Sequence, residues 1–373
     1  MSTLVTQEMT SDGPAPIGRH LAEWRIRRGF TVAELAAHSS LPAQLIESLE
    51  SGRDWVDQRR VLSTLAASLR LDPAELTSQP YTPCGADHAT VHATAWHVRR
   101  HLARLLAGEM GHVHTDTEQL AALVEAIRTA DDGGDLVSAA SAVPRLLELI
   151  GSPVHQPGND VGASLSSAAY TAVARLLRRI GYRDLAWSVL HQVRPPGEDL
   201  MLAMVEEVRL LMDMGKPGLA VTRAADTDAA LPFEVLLPLS LAHASLGQGA
   251  ESERLLEAAE AMVLGPDEAS AVASARAFAA AERGAFDQVL DYAVEAARLP
   301  AGDRAGLLVL TASARARLEH FEEAVTDLVT AESVAPLHTR LEPLARELVS
   351  VLSSRAGNHA DIVGGIAARC GMK

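Results

Sequence analysis

The chain of 373 residues is poor in aromatic side chains, in cysteine and in lysine, and the first two shortages each exclude a class of protein. Phe, Trp and Tyr make up 3% of the residues, and no segment alternates β-branched and polar residues as a half-buried strand does. Ala, Leu, Glu and Arg recur at helical spacing instead, so we expect an all-α protein. Cys84 and Cys370 are too few for a disulfide framework, which indicates a reducing cytoplasm.

Targeting and membrane segments are also missing from the sequence. The first 16 residues have neither the basic region nor the apolar region of a signal peptide. The most apolar span, 231–246, is interrupted by two prolines, a glutamate and a histidine. We therefore expect a cytoplasmic protein, associated with the nucleoid when bound to DNA, and no membrane partner.

Positive charge is scarce over most of the chain, whose formal net charge is −15. Residues 17–79 are neutral, with eight arginines against eight acidic residues, whereas residues 80–373 hold 25 basic and 38 acidic residues. Because an acidic surface repels the phosphate backbone, any DNA contact belongs to the first 80 residues.

Those first 80 residues have the pattern of five short helices. Thr31 followed by Glu34 predicts a capping box at the start of the second helix, and Pro42 stands where a third helix begins. Ser40 lies in the turn between them, and Gly52 ends the third helix. The other helices are expected at 18–28, 57–69 and from 71 onward.

This segment resembles the phage-repressor (XRE/Cro-like) helix-turn-helix family from Ile17 to Thr77. The residues that carry the resemblance are Leu21, Arg25, Gly29, Thr31, Glu34, Leu35, Ala36, Leu41, Ile46, Leu49, Glu50, Gly52 and the close "LSTLAASLRLDPAEL". The resemblance implies a five-helix lambda-repressor-like domain whose third helix enters the major groove. Val32 and Ser40 depart from the family, which usually has Gln and Gly there, and the third helix opens "PAQL" without a basic residue.

The third helix and the residues after it contain the candidate DNA contacts. Gln44 can bond an adenine edge, Ser48 a base or phosphate, and Leu45 a thymine methyl, while the arginines that follow suit phosphate contacts. The candidate DNA-binding residues are Thr31, Ala43, Gln44, Leu45, Ser48, Arg53, Arg59 and Arg60. A neutral module makes few phosphate contacts, so useful affinity requires a homodimer. In the alternative interpretation the fold serves protein contacts, and these arginines pair with Glu50, Asp54 and Asp57.

Six of the 14 histidines lie between residues 84 and 114. His88 with His92 and His97 with His101 have the spacing of helical metal-chelating pairs, but 100° per residue places the two pairs on opposite faces. A third ligand beside the first pair would require Cys84 to be helical, which the adjacent proline and glycine oppose. We expect no metal site, and a connector helix whose histidines are solvated or titrate near neutral pH.

A repeat with a period near 34 residues occupies the C-terminal half. The motifs "GYRDLA", "GKPGLA", "GQGAES", "GAFDQV" and "EHFEEA" each predict the turn of a helical hairpin, starting at Gly181, Gly215, Gly247, Gly284 and Glu319. The pattern resembles the tetratricopeptide repeat, which implies an α-solenoid whose concave surface is lined by the first helix of each hairpin. Helices at 338–354 and 359–370 would cap its open end.

The concave surface offers a candidate ligand groove, made of Arg175, Arg178, Arg209, Leu241 and Phe278. Arg175 and Arg209 stand at matching places in adjacent repeats, and Arg178 is one turn after Arg175. The arginine pair can bind a carboxylate or phosphate, with the two apolar residues as a floor. In the alternative interpretation, Arg209 pairs locally with Glu206 and Arg175 is solvated.

The predicted domains are a disordered segment at 1–16, the helix-turn-helix domain at 17–79, a connector with degenerate hairpins at 80–162, and tetratricopeptide-like repeats with capping helices at 163–373. This combination resembles the bacterial peptide-receptor regulators. The resemblance implies a transcription regulator that binds double-stranded DNA as a homodimer and senses a peptide, a small molecule or a protein partner in its groove. No enzyme motif is present and no cofactor is expected. The alternative is a tetratricopeptide scaffold whose helix-turn-helix no longer reads DNA.

Overall fold

The computed structural model of the protein describes residues 15–109, 116–150, 160–193, 199–225, 231–296, 298–355 and 357–372. Over these ranges the chain is helical and has no β-strand, which confirms the all-α fold. A five-helix N-terminal domain is set on a larger body of helical hairpins. None of the described helices combines the length and the apolar character needed to cross a bilayer.

Five helices form the N-terminal domain: α1 (Pro16–Arg27), α2 (Val32–Ser39), α3 (Ala43–Glu50), α4 (Arg59–Leu69) and α5 (Pro73–Thr77). Apolar residues from all five meet in one core, which includes Ile17, Leu21, Leu35, Ile46, Leu49, Leu65 and Leu76. Capping boxes begin two of the helices, at Thr31 with Glu34 and at Asp72 with Glu75. The five helices of the prediction are confirmed.

The predicted disordered segment, residues 1–16, includes two residues that have a defined place in the fold. Residues 1–14 lie outside the described residues, but Ala15 is buried in the same apolar cluster as Trp55, and Pro16 begins α1. Pro at the first position favours this helix start because its missing N–H would have no helical partner there.

The body begins with α6 (Ala86–Leu106), followed along the described chain by six helical hairpins. The hairpins are α7 (Thr117–Asp132) with α8 (Leu136–Leu149), α9 (Asp160–Arg179) with α10 (Arg183–Leu190), α11 (Asp199–Asp213) with α12 (Pro217–Ala225), α13 (Phe233–Ser245) with α14 (Gly249–Glu260), α15 (Pro266–Glu282) with α16 (Phe286–Glu295), and α17 (Ala301–Arg317) with α18 (Phe321–Val334). Each first helix packs on the first helix of the next hairpin, which is the stacking of an α-solenoid.

The turns of the five repeated hairpins lie where the repeat predicts them. Each contains one residue in the left-handed backbone region, namely Gly181, Gly215, Gly247, Gly284 or Glu319, with φ between 64° and 86°. Glycine suits this conformation because it has no Cβ to clash with the backbone.

The solenoid returns to its own start, which the sequence did not indicate. The turn of the first hairpin meets the end of the last one, since a Cβ built on Gly134 would lie 2.8 Å from the Cβ of Ala335. Helix α17 packs on α7, and Arg179 of α9 reaches Asp303 of α17 at 3.3 Å. The concave surface of the body is therefore enclosed rather than open.

Three further helices end the chain: α19 (Pro336–Leu341), α20 (Pro343–Arg355) and α21 (Ala360–Arg369). A single helix was predicted over 338–354, and it is broken at Glu342 because Pro343 cannot continue the hydrogen bonding of α19. Helix α20 packs on α1, α17, α18 and α21, so it joins the N-terminal domain to the body.

The N-terminal domain docks on the turn side of the body. Residues of this domain lie against four repeat turns: Gln79 at Gly181, Pro73 and Ser63 at Gly215, Arg60 at Gly247, and Gln58 at Gly284. Polar contacts at the same interface are largely buried, and they set the position of the domain.

Two carboxylates of the body accept backbone N–H groups of the docked domain. Glu347 of α20 accepts from Ile17 at 2.9 Å and from Val56 at 3.4 Å. Glu282 at the end of α15 accepts from Arg59 and Arg60 at 2.9 and 3.0 Å, which satisfies free N–H groups at the start of α4. Burial raises the pKa of both carboxyls, and that of Glu347 reaches about 7.

Arg317 at the end of α17 makes several contacts with the loop between α3 and α4. Its guanidinium binds Asp54 and Asp57, each at 2.5 Å, and donates to the carbonyl of Trp55 at 2.7 Å. It also stacks on the Trp55 ring, 3.7 Å from the centroid. This one side chain therefore holds the loop between α3 and α4 on the body.

Candidate nucleic-acid interface and groove

Helices α2 and α3 are joined by a tight turn, as a DNA-reading motif requires. The Thr31 hydroxyl accepts from the Glu34 N–H at 3.1 Å, and the Glu34 carboxylate accepts from the Thr31 N–H at 2.7 Å. Ser40 has φ of 53°, so this position adopts the left-handed conformation although it is not glycine. Leu35 and Ile46 are fully buried between the helices.

Helix α3, called the reading helix below, turns one face to solvent. Gln44 and Glu47 are exposed, whereas Ala43, Leu45 and Ser48 are partly buried beside them. The exposed amide can donate and accept toward a base edge, and a carboxylate can accept from a cytosine amino group. Glu47 was missed by the sequence reasoning, although its place one turn after Gln44 on a helix buried through Ile46 and Leu49 could have identified it.

Thr31 and Arg53, two of the candidate DNA-binding residues, differ in exposure and in the hydrogen bonds that they form. The Thr31 hydroxyl is occupied by its capping box and also donates to Glu34 Oε2 at 2.8 Å. Arg53 is exposed just beyond the helix; its Nε donates to the Ser51 hydroxyl at 3.0 Å, and its carbonyl accepts from Arg355 at 2.9 Å.

Arg59 and Arg60 face the body, which differs from their expected place beside the reading helix. The Arg59 guanidinium binds Asp213 of α11 at 2.7 Å. Arg60 is exposed, but it lies beside the turn at Gly247 and shares a surface depression with Gly215. The reason is that α4 starts at the docking interface, with both N–H groups on Glu282.

The alternative interpretation, in which the candidate arginines pair with Glu50, Asp54 and Asp57, is also wrong. Glu50 is bound by Arg25 through two hydrogen bonds of 2.6 and 2.7 Å, while Arg317 of the body binds the two aspartates of the loop. Glu50, Asp54 and Asp57 are therefore paired, but with residues other than the predicted ones.

Four of the five candidate groove residues line one cavity of about 260 Å³, called the groove cavity below. Arg178 and Arg209 lie at its polar end, and Leu241 and Phe278 on its apolar wall. Arg175 is not among the lining residues; it binds Asp131 at 2.7 Å and Asp132 at 3.1 Å. The expectation that it would be solvated, or would pair with Arg209 to bind a ligand, is therefore wrong.

The arginines of the groove cavity are paired with buried acids. Arg178 binds Glu206 and Asp213, each at 3.0 Å. Arg209 binds Glu206 at 3.1 Å, which is the local pair that the alternative interpretation expected. Burial alone would raise the pKa of Glu206, yet the guanidiniums of Arg178 and Arg209 bring it down to about 2. A ligand here meets a nearly neutral, alternating array of charges rather than a free guanidinium pair.

One arginine belongs both to the groove cavity and to the N-terminal domain. Arg59 lines the cavity, and its partner Asp213 uses its second oxygen for Arg178. A continuous chain of ion pairs therefore runs from Arg209 through Glu206, Arg178 and Asp213 to α4.

The histidines of α6 are mostly embedded in the body, which corrects the expectation that they are solvated. His101 is 5% exposed and lies 3.0 Å from the Tyr170 hydroxyl, and burial lowers its pKa to about 4. His92 contacts the Tyr182 hydroxyl at 2.8 Å, and His88 is buried beside Cys84. His112 and His114 lie outside the described residues. Within the described part of the chain, no three side chains of the metal-binding types converge on one point.

Comparison with known proteins identifies one part of the chain. Residues 16–79 match the family model described as a helix-turn-helix domain. No curated protein matches the sequence. Among solved structures, the chain is similar to Bacillus thuringiensis PlcR in complex with the peptide PapR7 and DNA, at 14% identity, over 88% of this chain and 99% of that one, with a TM-score of 0.29.

That TM-score is too low for PlcR to inform the arrangement of this body or its ligands. The domain match and the geometry of α1 to α5 are independent of it, and they cover the same residues. Residues 16–79 are a helix-turn-helix domain, and the rest of the described chain is a body of helical hairpins on which this domain is docked.

Proposed function

We propose that the protein is a cytoplasmic transcription regulator that binds double-stranded DNA as a homodimer and receives a ligand in its groove cavity. The observation that carries the proposal is the exposure of Gln44 and Glu47 on the reading helix, while the opposite side of the domain is docked on the body. Because Gln44 and Glu47 are exposed in the docked arrangement, the proposed DNA contacts would not require the domain to leave the body. The proposed activity involves no catalysis and no cofactor.

The proposed contacts divide by role. Gln44 reads a base edge, helped by Ser48 and by the apolar contacts of Ala43 and Leu45. Arg53 binds phosphate beyond the reading helix, near the exposed capping residue Thr31. Arg59 and Arg60 are left out of this set because they face the body.

The test is binding of the full chain to DNA upstream of its own gene and neighbouring genes at several salt concentrations. Gln44→Ala should relax base preference by about 1–3 kcal/mol at one position, since a bidentate base contact is lost. Arg53→Ala should weaken all sequences alike and lower the salt dependence. Gln192→Ala, in the turn after α10, is a matched control that should change neither. Equal effects of Gln44→Ala and Arg53→Ala on every sequence would show that the assignment of roles is wrong.

We propose that α6 provides the dimer contact. Its outer face carries Trp96, which is 57% exposed, with exposed alanines at 89, 93 and 103 in the spacing of a coiled-coil seam. Two copies that cross antiparallel at Trp96 place Ala89 of one opposite Ala103 of the other, because each stands seven residues from Trp96 on the same face. Such a contact is two-fold and buries the same surface of both copies.

The dimer is tested by sedimentation of a Trp96→Arg variant. The change should shift the chain to monomer and weaken DNA binding, because two reading helices are needed for useful affinity. Leu264→Arg, at a residue that is 95% exposed elsewhere on the body, is the control. A wild-type chain that sediments as a monomer at all concentrations would rule out the dimer.

We propose that the ligand is a peptide or small molecule with an apolar group for Leu241 and Phe278 and a polar end for the paired charges. Binding would act on DNA affinity through Arg59, which contacts both the cavity and the domain. The test incubates cell extract with the wild-type chain and with Ala275→Trp, a change in the cavity wall, and identifies retained compounds by mass spectrometry. A compound held only by the wild type supports the site; none held, or equal retention, contradicts it.

A second function is favoured by one observation. The reading helix has no basic residue, and two of the three arginines that follow it are turned to the body. These features suit a scaffold whose helix-turn-helix serves protein contacts. Absence of sequence-selective DNA binding at low salt, from a folded and dimeric chain, would establish this alternative over the regulator.

A further inference from the structure

The two cysteines of the chain, at positions 84 and 370, line the same cavity. This cavity, called the cysteine cavity below, has a volume of about 210 Å³ and lies between the segment that follows the helix-turn-helix domain and the C-terminal helix α21. Cys84 is exposed and precedes α6, whereas Cys370 ends α21 and is 4% exposed. No step of the proposed DNA or ligand binding uses either thiol.

Cys84 touches the backbone on both sides of Cys370. Its Sγ lies 3.2 Å from the carbonyl oxygen of Arg369, to which the thiol donates. On the other side, a Cβ built on Gly371 would lie 2.9 Å from the Cβ of Cys84 and 3.3 Å from its Sγ. Cys84 therefore contacts the residues immediately before and after Cys370, and both cysteines line the same cavity.

The His88 ring lies beside the Cys84 thiol. Its Nδ1 lies 3.7 Å from Cys84 Sγ and accepts the Cys84 backbone N–H at 3.3 Å. Burial lowers the pKa of His88, which favours the neutral ring. A neutral imidazole close to an exposed thiol can act as general base when that thiol reacts.

The cysteine cavity has more positive than negative charge in its lining. It is lined by Arg340, Arg346 and Arg369 and by one acidic residue, Asp87. Arg340 and Arg369 share one carboxylate, Glu332, while Arg346 donates to the carbonyl of Cys370 at 2.6 Å and stacks on Tyr81. Burial raises the pKa of the Cys370 thiol to about 11, so the exposed Cys84 is the one that reacts first.

We propose that Cys84 and Cys370 form a reversible disulfide on reaction with a hydroperoxide. The Cys84 thiolate attacks a peroxide oxygen, the O–O bond breaks, and Cys84 sulfenic acid forms with release of water or an alcohol. The Cys370 sulfur then displaces hydroxide from the sulfenic sulfur, which leaves as water, and the S–S bond forms. Two electrons pass from the two thiols to the peroxide, and both thiol protons end in the released water or alcohol.

The bond would join the segment after the helix-turn-helix domain to the last helix of the body. Reduction by an ordinary dithiol would reverse it, which is compatible with a reducing compartment. The inference does not rest on DNA binding or on a ligand in the groove cavity, so its test is separate from theirs.

The experiment treats the full-length reduced chain with hydrogen peroxide, alkylates free thiols under denaturing conditions and maps the peptides by mass spectrometry. The expected product is an intramolecular link between Cys84 and Cys370, removed by dithiothreitol. Cys370→Ser should leave a sulfenic acid on Cys84 that dimedone traps, and Cys84→Ser should leave Cys370 unreacted. Two free thiols in the treated wild type, or a Cys84 link between two chains on a non-reducing gel, would overturn the proposal.

The role of His88 is tested by the rate of thiol loss. His88→Gln should slow oxidation of Cys84 by about tenfold or more, because the proton acceptor is lost. His92→Gln, on the same helix but bonded to Tyr182, is the matched control and should leave the rate unchanged. Circular dichroism confirms that both variants are folded, and equal rates for the two would remove His88 from the proposal.

Discussion

Glu347 joins two parts of the helix-turn-helix domain that are far apart in its own sequence. One oxygen accepts from Ile17 at the start of α1, and the other from Val56 in the loop before α4. The residue is 1% exposed and forms no ion pair within the described chain, so the cost of burying its charge is offset by these two donors and, to a smaller extent, by the charge of Arg19. Its pKa is raised from 4.5 to about 7 for that reason.

We expect this carboxyl to make the protein less stable as pH rises from 4.5 to 8. The pKa in the folded state is above that in the unfolded state, so the stabilisation is complete below pH 4.5 and is lost through pH 7. Glu347→Gln removes this titration. The free energy of unfolding of the wild type, relative to the variant, should fall by about 3 kcal/mol over that range.

Urea unfolding of both proteins at a series of pH values measures the difference. Glu118→Gln, at an exposed residue in the first turn of α7, is the control and should run parallel to the wild type. If the free energy of unfolding of Glu347→Gln also runs parallel to that of the wild type over this pH range, the pKa of Glu347 does not change on folding.

At the scale of single elements, the repeat turns have two roles. In four hairpins a left-handed glycine ends the first helix, and its bare Cα lets the helix-turn-helix domain approach; these glycines are Gly181, Gly215, Gly247 and Gly284. The two roles can be tested separately, because the N-terminal domain lies close to the backbone at Gly215 and farther from it at Gly247.

Gly215→Ala should therefore destabilise the protein more than Gly247→Ala. Both positions have positive φ, near 70°, so each alanine costs about 1–2 kcal/mol of backbone strain. At Gly215 the new methyl would also lie 2.9 Å from Pro73 Cγ, whereas at Gly247 the nearest neighbour is the end of Arg60 at 3.9 Å.

Thermal unfolding of both variants gives the comparison, and hydrogen exchange in α4 and α5 should rise only in Gly215→Ala. Equal losses, with α4 and α5 protected in both, would mean that the domain does not rest on this turn.

The same turns mark the limit of what the sequence can predict. Gly181, Gly215, Gly247 and Gly284 were identified because a positive φ is a local requirement that repeats with the hairpin. Their contacts with the N-terminal domain are not periodic and leave no pattern. Arg59 illustrates this: beside a reading helix an arginine suggests phosphate, and only the fold shows Asp213, far along the chain, as its partner.

At the scale of the whole molecule, docking joins the N-terminal domain to an enclosed solenoid. Arg317 binds the loop at 54–57, and Arg183 binds both sides of α5, through Asp72 before the helix and Gln79 after it. Because these groups are largely buried, removing one partner leaves an unpaired charge at the interface.

Arg317→Gln should loosen the whole domain from the body. It leaves the Asp57 carboxylate buried without a cation, and we expect a loss of about 3–5 kcal/mol. Arg128→Gln, whose partners Glu125 and Asp132 lie on an exposed surface of α7, should cost less than about 1 kcal/mol. Hydrogen exchange should show faster exchange at the domain interface in the first variant alone; similar protection in both would mean that the docked arrangement does not depend on Arg317.

The contact between Ile17 and Glu347 also has a consequence for how the protein is made. The two residues are separated by 330 positions, and a ribosome adds roughly 5–20 residues per second. The helix-turn-helix domain therefore leaves the ribosome many seconds, up to about a minute, before its last docking partner is synthesised. During that interval the nascent domain has its docking face uncovered, so a chaperone or a second nascent chain would have access to a surface that the finished protein keeps buried.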